Sequence, residues 1–180
     1  MNDKMNKSKK AQLNQVFTII ATLLIAGVII LVGAKAIGGT MKSKCTTDLV
    51  TFQNDISQAI KDNNHYGSVT GEKFRAPCKY TTLCLVNTEA IREKTSLNSF
   101  PDELSSEAKF LIKNSVESGT EQNIFLISSD ETKPAGFASE LMVEGGDVLC
   151  IPSKAGDFSM TMYGQGRTTK IKSKNSLDNN

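Results

Sequence analysis

The chain has 180 residues, 39% of them apolar, with 21 basic against 19 acidic side chains and a formal net charge of +2. That apolar share is too high for a wholly disordered chain and too low for a protein crossing a membrane many times, and the length suits one domain plus a tail. Near-neutral charge, one histidine and no tryptophan argue against a basic nucleic-acid binder and against a histidine-rich metalloenzyme.

Residues 1–15 form a basic tail with Lys4, Lys7, Lys9 and Lys10. From Val16 to Ala34 the next 19 residues carry no charge. As a helix they span roughly 28 Å, the thickness of a bilayer's hydrocarbon core, and inside lipid only a helix satisfies its own backbone. A cleaved secretory signal has a shorter apolar core, about 7–15 residues, before a small-x-small site. The longer run here leads into Lys35-Ala36-Ile37-Gly38-Gly39 and predicts a retained transmembrane helix over residues 16–38, contacting membrane lipid, with Gly38 and Gly39 as a flexible joint.

Four lysines precede the span, and Lys35, Lys42 and Lys44 follow it, a slight positive-inside bias. Cysteine usage points the same way. Five basic residues and one acidic residue lie within positions 1–40, which leaves 16 against 18 beyond them, together with all four cysteines: Cys45, Cys78, Cys84 and Cys150. An even number on one side of the membrane fits disulfides in an oxidising space, so the expected topology is N-terminus cytoplasmic and domain extracytoplasmic.

The segment Lys9-Lys10-Ala11-Gln12-Leu13, set directly before the apolar run, resembles an archaeal class III signal peptide. The wider layout is similar to small, uncharacterised, membrane-anchored archaeal proteins of pilin-like arrangement. That likeness rests on Gln15-Val16-Phe17-Thr18-Ile19-Ile20, on Pro77-Cys78-Lys79-Tyr80 with Cys84-Leu85-Val86, and on Asn114-Ser115-Val116-Glu117-Ser118-Gly119 with Asn123-Ile124-Phe125-Leu126. The resemblance implies a prepilin-type peptidase as partner, cleavage between Ala11 and Gln12, and assembly into a homo-oligomer or filament through the retained helix. Bacterial-type pilins carry a Glu at the fifth mature position, where this chain has Val16. An uncleaved signal anchor with a lysine-rich tail is the competing fate of the same residues.

Beyond the span, Cys45, Leu49, Phe52, Ile56 and Ile60 recur every three or four residues and predict an amphipathic helix over about 43–62. Asn63-Asn64-His65-Tyr66-Gly67 ends it in a turn. Residues 73–76 and 83–87 read as strands, and Pro101 opens a second helix over 102–117 with Gly119 as its cap. Strands follow at 123–128, 136–143, 148–152, 158–163 and 168–171, with Glu144-Gly145-Gly146-Asp147 as a hairpin turn. The expected fold class is α+β: a transmembrane helix, an amphipathic helix, then a small domain at 39–171 with a mainly antiparallel sheet and one further helix. Residues 172–180 carry one apolar side chain and read as a disordered end.

Four thiols allow three pairings. The short separation of Cys78 and Cys84 favours their union, leaving Cys45 for Cys150, with Cys45–Cys84 and Cys78–Cys150 as the alternative. Paired C-x-x-C knuckles are absent, so neither a zinc site nor a redox-active dithiol is expected. His65 sits in a turn with no G-x-S-x-G partner motif. Ser106-Glu107-Ala108-Lys109 spells S-x-x-K without its companion elements, and Gly164-Gln165-Gly166 lacks the following helix of a phosphate cradle. The expectation is a non-enzymatic, single-pass envelope protein without cofactor or metal, either a pilin-like filament or pseudopilus subunit or an anchored binding or accessory module of a surface complex, with an anchored hydrolase as the last alternative.

Overall fold

The computed structural model describes the backbone of residues 3–97 and 100–174, and the side chains in those ranges outside 3–15 and 35–43. The protein is α+β and divides into two compact units, Met1–Lys44 and Cys45–Asn180.

One helical element, α1, is assigned over Asp3–Asp62. Its helical assignment continues through Gly38 and Gly39, where the sequence suggested a joint. In the first unit, Val16–Ala34 is long and apolar enough to cross a membrane, with a mean hydropathy of 2.8 and none of it buried. Phe17, Leu24 and Leu31 stand open at 74%, 67% and 72%. Lipid is a natural cover for such a surface. In the second unit, the stripe Leu49, Phe52, Ile56 and Ile60 is buried, as its spacing requires, while Val50 on another face is exposed.

The rest of the second unit runs β1 (Val69–Arg75), β2 (Thr82–Val86), α2 (Thr88–Arg92), α3 (Ser106–Glu117), β3 (Ile124–Ile127), β4 (Thr132–Gly136), β5 (Leu141–Val143), β6 (Val148–Pro152), β7 (Asp157–Gly164) and β8 (Thr169–Ser173). These strands make two four-stranded sheets where the sequence suggested one: β1-β7-β8-β5 and β4-β3-β2-β6. The second is antiparallel throughout; the first has one parallel pair, β5 with β8.

Two apolar clusters explain the layering. Leu49, Phe52, Ile56 and Ile60 of α1 pack with Phe74, Phe158, Met160 and Met162 of the first sheet and with Leu83, Leu85, Ile124 and Leu126 of the second. Phe52 meets Phe74 and Phe158 edge-on, with ring centroids 6.3 and 5.9 Å apart. Successive strand side chains face opposite ways, so Cys84, Val86, Phe125 and Ile127 point from the second sheet into another cluster, against Ala90, Ala108, Ile112 and Val116 of α2 and α3. A sheet covered on both faces needs unbroken apolar strands, and β2 and β3 supply them. The first sheet has one wet face, hence the strict alternation along β7.

Several boundaries differ from expectation. The strand expected at 136–143 is two strands in different sheets, β4 and β5, joined by a crossing held by a buried polar knot. There Asn123 Nδ2 donates to Thr88 Oγ1 (3.1 Å) and to the Ala138 carbonyl (2.8 Å), and its Oδ1 accepts from the Ala138 N–H (2.8 Å). Thr88 Oγ1 donates to the Ala138 carbonyl (2.9 Å) and accepts from the Leu141 N–H (3.2 Å). Glu144–Asp147 therefore links strands of different sheets and is no hairpin. α3 starts at Ser106, not near Pro101, because Ser105 caps it by accepting from the Ala108 N–H. It ends as foreseen on Gly119, φ +67°, with Gly119 N–H on the Val116 carbonyl and Thr120 N–H on the Ser115 carbonyl, a Schellman motif. Lys172 and Ser173, assigned to the disordered end, are paired in β8; residues 175–180 lie outside the described ones.

Candidate functional site

All four cysteines are bonded, but not as the short spacing suggested: Cys45 joins Cys78 and Cys84 joins Cys150, with Cα atoms 5.4 and 4.1 Å apart. Neither Cys78–Cys84 with Cys45–Cys150 nor Cys45–Cys84 with Cys78–Cys150 is formed. Cys84 and Cys150 are register partners on adjacent antiparallel strands. They share the cluster on the α3 side, whereas Cys45 packs with the α1 cluster on the opposite face of the same sheet. A Cys45–Cys150 bond would have to pass through that sheet. The Cys45–Cys78 bond instead ties α1 to the β1–β2 loop.

The last turns of α1 and the inner face of β1 enclose an open groove of about 400 Å³. Asp55, Gln58, Ala59 and Asp62 recur at helical spacing and line one wall; Thr70, Glu72 and Phe74, alternating along β1, line the other. Asn63 belongs to the lining as well. It is 7% exposed, its Oδ1 accepts from Thr70 Oγ1 (3.3 Å), and its Nδ2 has no hydrogen-bond partner. Gln58 Nε2 donates to Asp62 Oδ1 (2.7 Å). No basic residue lines the groove, and among the described residues no salt bridge reaches Asp55, Asp62 or Glu72. Sequence reasoning missed this site, although the i, i+3, i+7 spacing of Asp55, Gln58 and Asp62 was a visible signal.

Beneath the groove, the turn after α1 is locked against the end of β7. Ser68 Oγ donates to the Asn63 carbonyl, Gly67 N–H to the Gly164 carbonyl, and Gly164 N–H to the Ser68 carbonyl. A Cβ at Gly164 would overlap the His65 carbonyl oxygen and Ser68 Oγ, so glycine is required by close approach.

Elsewhere, the buried Tyr80 donates its hydroxyl hydrogen bond to Glu131, and Lys79 lies 3.5 Å from Asp130 and 4.0 Å from Glu131. Burial, then the bond to Glu131 and its negative charge, push the Tyr80 phenol well above its ordinary range. The hydrogen bond from Ser129, then Lys79, hold the Asp130 carboxyl below the usual carboxylate value. On α3, Phe110 is 66% exposed beside Leu111, Asn114 and Ser118.

The motifs marked in the sequence do not converge. His65 is exposed in its turn, its carbonyl accepting from the Ser68 N–H (3.1 Å). Ser106 is exposed in the first turn of α3, and no hydrogen bond joins it to Lys109 among the described residues. Gly164-Gln165-Gly166 turns into β8, not into a helix. Among the described residues no group of three His, Cys, Asp or Glu could hold a metal ion. The side chains of Ala11 and Gln12 lie outside the described residues. Comparison with protein-family models, with curated proteins and with solved structures gives no match.

Proposed function

We propose that the chain is a non-enzymatic, single-pass envelope protein with its N-terminus in the cytoplasm and its disulfide-bonded domain outside, serving as a pilin-like subunit of a filament or pseudopilus. The observation that carries this reading is the composition of α1. A single helical element holds a lipid-length apolar segment and, further along, the apolar stripe around which two sheets form a core. Two disulfides support an oxidising compartment for that core. A subunit of this kind works by packing apolar helices side by side, for which the exposed face of Val16–Ala34 supplies the surface.

The alternative is an anchored accessory module of a surface complex, and one observation favours it: Val16 stands where bacterial-type pilins have Glu. The mass of the mature N-terminus separates the two. A chain purified from its native membrane that begins at Gln12 supports prepilin-type processing. A chain that begins at residue 1 or 2 refutes processing and leaves the accessory module.

A further inference from the structure

The groove between α1 and β1 carries unmet negative charge. Asp55, Asp62 and Glu72 bring three carboxylates to one open cleft, with no basic side chain in its lining and, among the described residues, no salt bridge to any of the three. The ligand must therefore bring a cation.

β1 adds a second element. It ends the order β1-β7-β8-β5 and, among the described residues, pairs only with β7, so the N–H and C=O groups along its other side form a free ladder. Thr70, Glu72 and Phe74 face inward from that edge strand, and Glu72 is half-buried beside the helix. From this arrangement we infer that the groove is a docking site for an extended, basic peptide segment of a partner protein. The segment adds to the free edge of β1, placing Lys or Arg side chains against Glu72, Asp55 and Asp62.

Charge decides among possible occupants. A second copy pairing through its own β1 would bring Glu72 beside Glu72 within a cluster of carboxylates, and like charges across a strand pair are destabilising. A bare divalent ion is disfavoured because, among the described residues, no three acidic groups converge closely enough to ligate one. A lysine or arginine reaches dispersed carboxylates with a long, flexible stem. The inward Glu72 thus repels acidic strands and favours basic ones, which is specificity by repulsion as well as attraction. The site is the same for a filament subunit and for an isolated anchored module.

The test uses the full chain in detergent micelles and a synthetic peptide of alternating lysine and threonine with the seven-residue length of β1, with binding read by fluorescence anisotropy. Saturable binding is expected, weakening as salt is raised to about 0.5 M. The isosteric double variant Glu72→Gln, Asp55→Asn should weaken it about three- to tenfold, the worth of two partly exposed ion pairs. Because both side chains lie at the surface of the groove, the variant should keep the parent's melting temperature. Replacing the central threonine of the peptide by proline should weaken binding by about tenfold or more, because the ladder then loses a donor. Three results would each overturn the inference: no saturable binding, equal affinity for parent and double variant, or undiminished binding of the proline peptide. In the first case Glu72 is only a charge that keeps an edge strand from aggregating.

Discussion

Removing each disulfide in turn tests the fold where its topology is most constrained. The loops closed by Cys45–Cys78 and Cys84–Cys150, with sequence separations of 33 and 66, do not overlap, so their restraints on the unfolded chain act independently. Loop-closure entropy puts the first at about 3.8 and the second at about 4.4 kcal/mol. Cys84 is fully buried in the α3-side cluster, so its replacement by alanine also leaves a small cavity, adding about 1 kcal/mol. The Cys45→Ala, Cys78→Ala variant should therefore lose about 4 kcal/mol and the Cys84→Ala, Cys150→Ala variant about 5. Removing both should cost about 9, a large part of the roughly 5–15 kcal/mol a domain possesses. Urea unfolding followed by tyrosine fluorescence, in detergent that keeps Val16–Ala34 covered, measures these losses. The reasoning fails if either variant loses less than about 1 kcal/mol or if the shorter loop proves the costlier one. Non-reducing peptide maps should show Cys45 with Cys78 and Cys84 with Cys150; a Cys78–Cys84 peptide would overturn the register of β2 and β6.

Ile56→Ala should cost about 2–5 kcal/mol, because Ile56 is fully buried between the sheets, while Val50→Ala on the exposed face of the same helix should stay within about 0.5. Equal effects in urea unfolding would show that this stretch of α1 is a solvated stalk. Tyr80 predicts a loss of stability in alkali. Its phenol is pushed upward in the folded state, so the unfolded chain releases the proton first, near pH 10. Stability present below that value declines as pH rises toward the folded-state value. Melting temperature should thus fall less steeply between about pH 9 and 11 in Tyr80→Phe than in the parent, and phenolate absorbance should lose the step that accompanies unfolding. Identical slopes would remove the Tyr80–Glu131 pair as the cause.

Much of the fold was legible where a single period governs. The four-residue rhythm from Cys45 to Ile60 marks α1's buried face, and the alternation Phe158, Met160, Met162 marks the inner face of β7. Errors arose where a long-range partner decides. Nothing local distinguishes residues 136–143 as one strand from two, because the break is imposed by Asn123 and Thr88, distant in sequence, bonding to Ala138 and Leu141. Glu144–Asp147 has the composition of a hairpin turn, yet β5 pairs with β8 and β6 with β2. The short helix α2 has five residues, too few for a periodic signal. The acidic groove needs β1 beside α1 and could be read from sequence only on its helical wall, Asp55, Gln58 and Asp62.

The cysteines show most clearly why separation along the chain is a poor guide to pairing. Leu83-Cys84-Leu85 and Leu149-Cys150-Ile151 are matched apolar triplets, each with its cysteine between two residues of the opposite face. In a sheet covered on both faces such triplets suit neighbouring strands, here the interior β2 and the edge strand β6, and antiparallel pairing in register sets Leu83 against Ile151, Leu85 against Leu149 and cysteine against cysteine. Cα atoms 4.1 Å apart match the narrow, non-hydrogen-bonded pair of an antiparallel ladder, close enough for the thiols to meet. With Cys84 so committed, its near neighbour Cys78 sits in the loop between β1 and β2, before the chain enters this sheet, and Cys45 lies on the α1 face, away from Cys150. The remaining pair then closes on the one side of the sheet that both can reach. Strand register chooses the first bond, and the face of the sheet chooses the second.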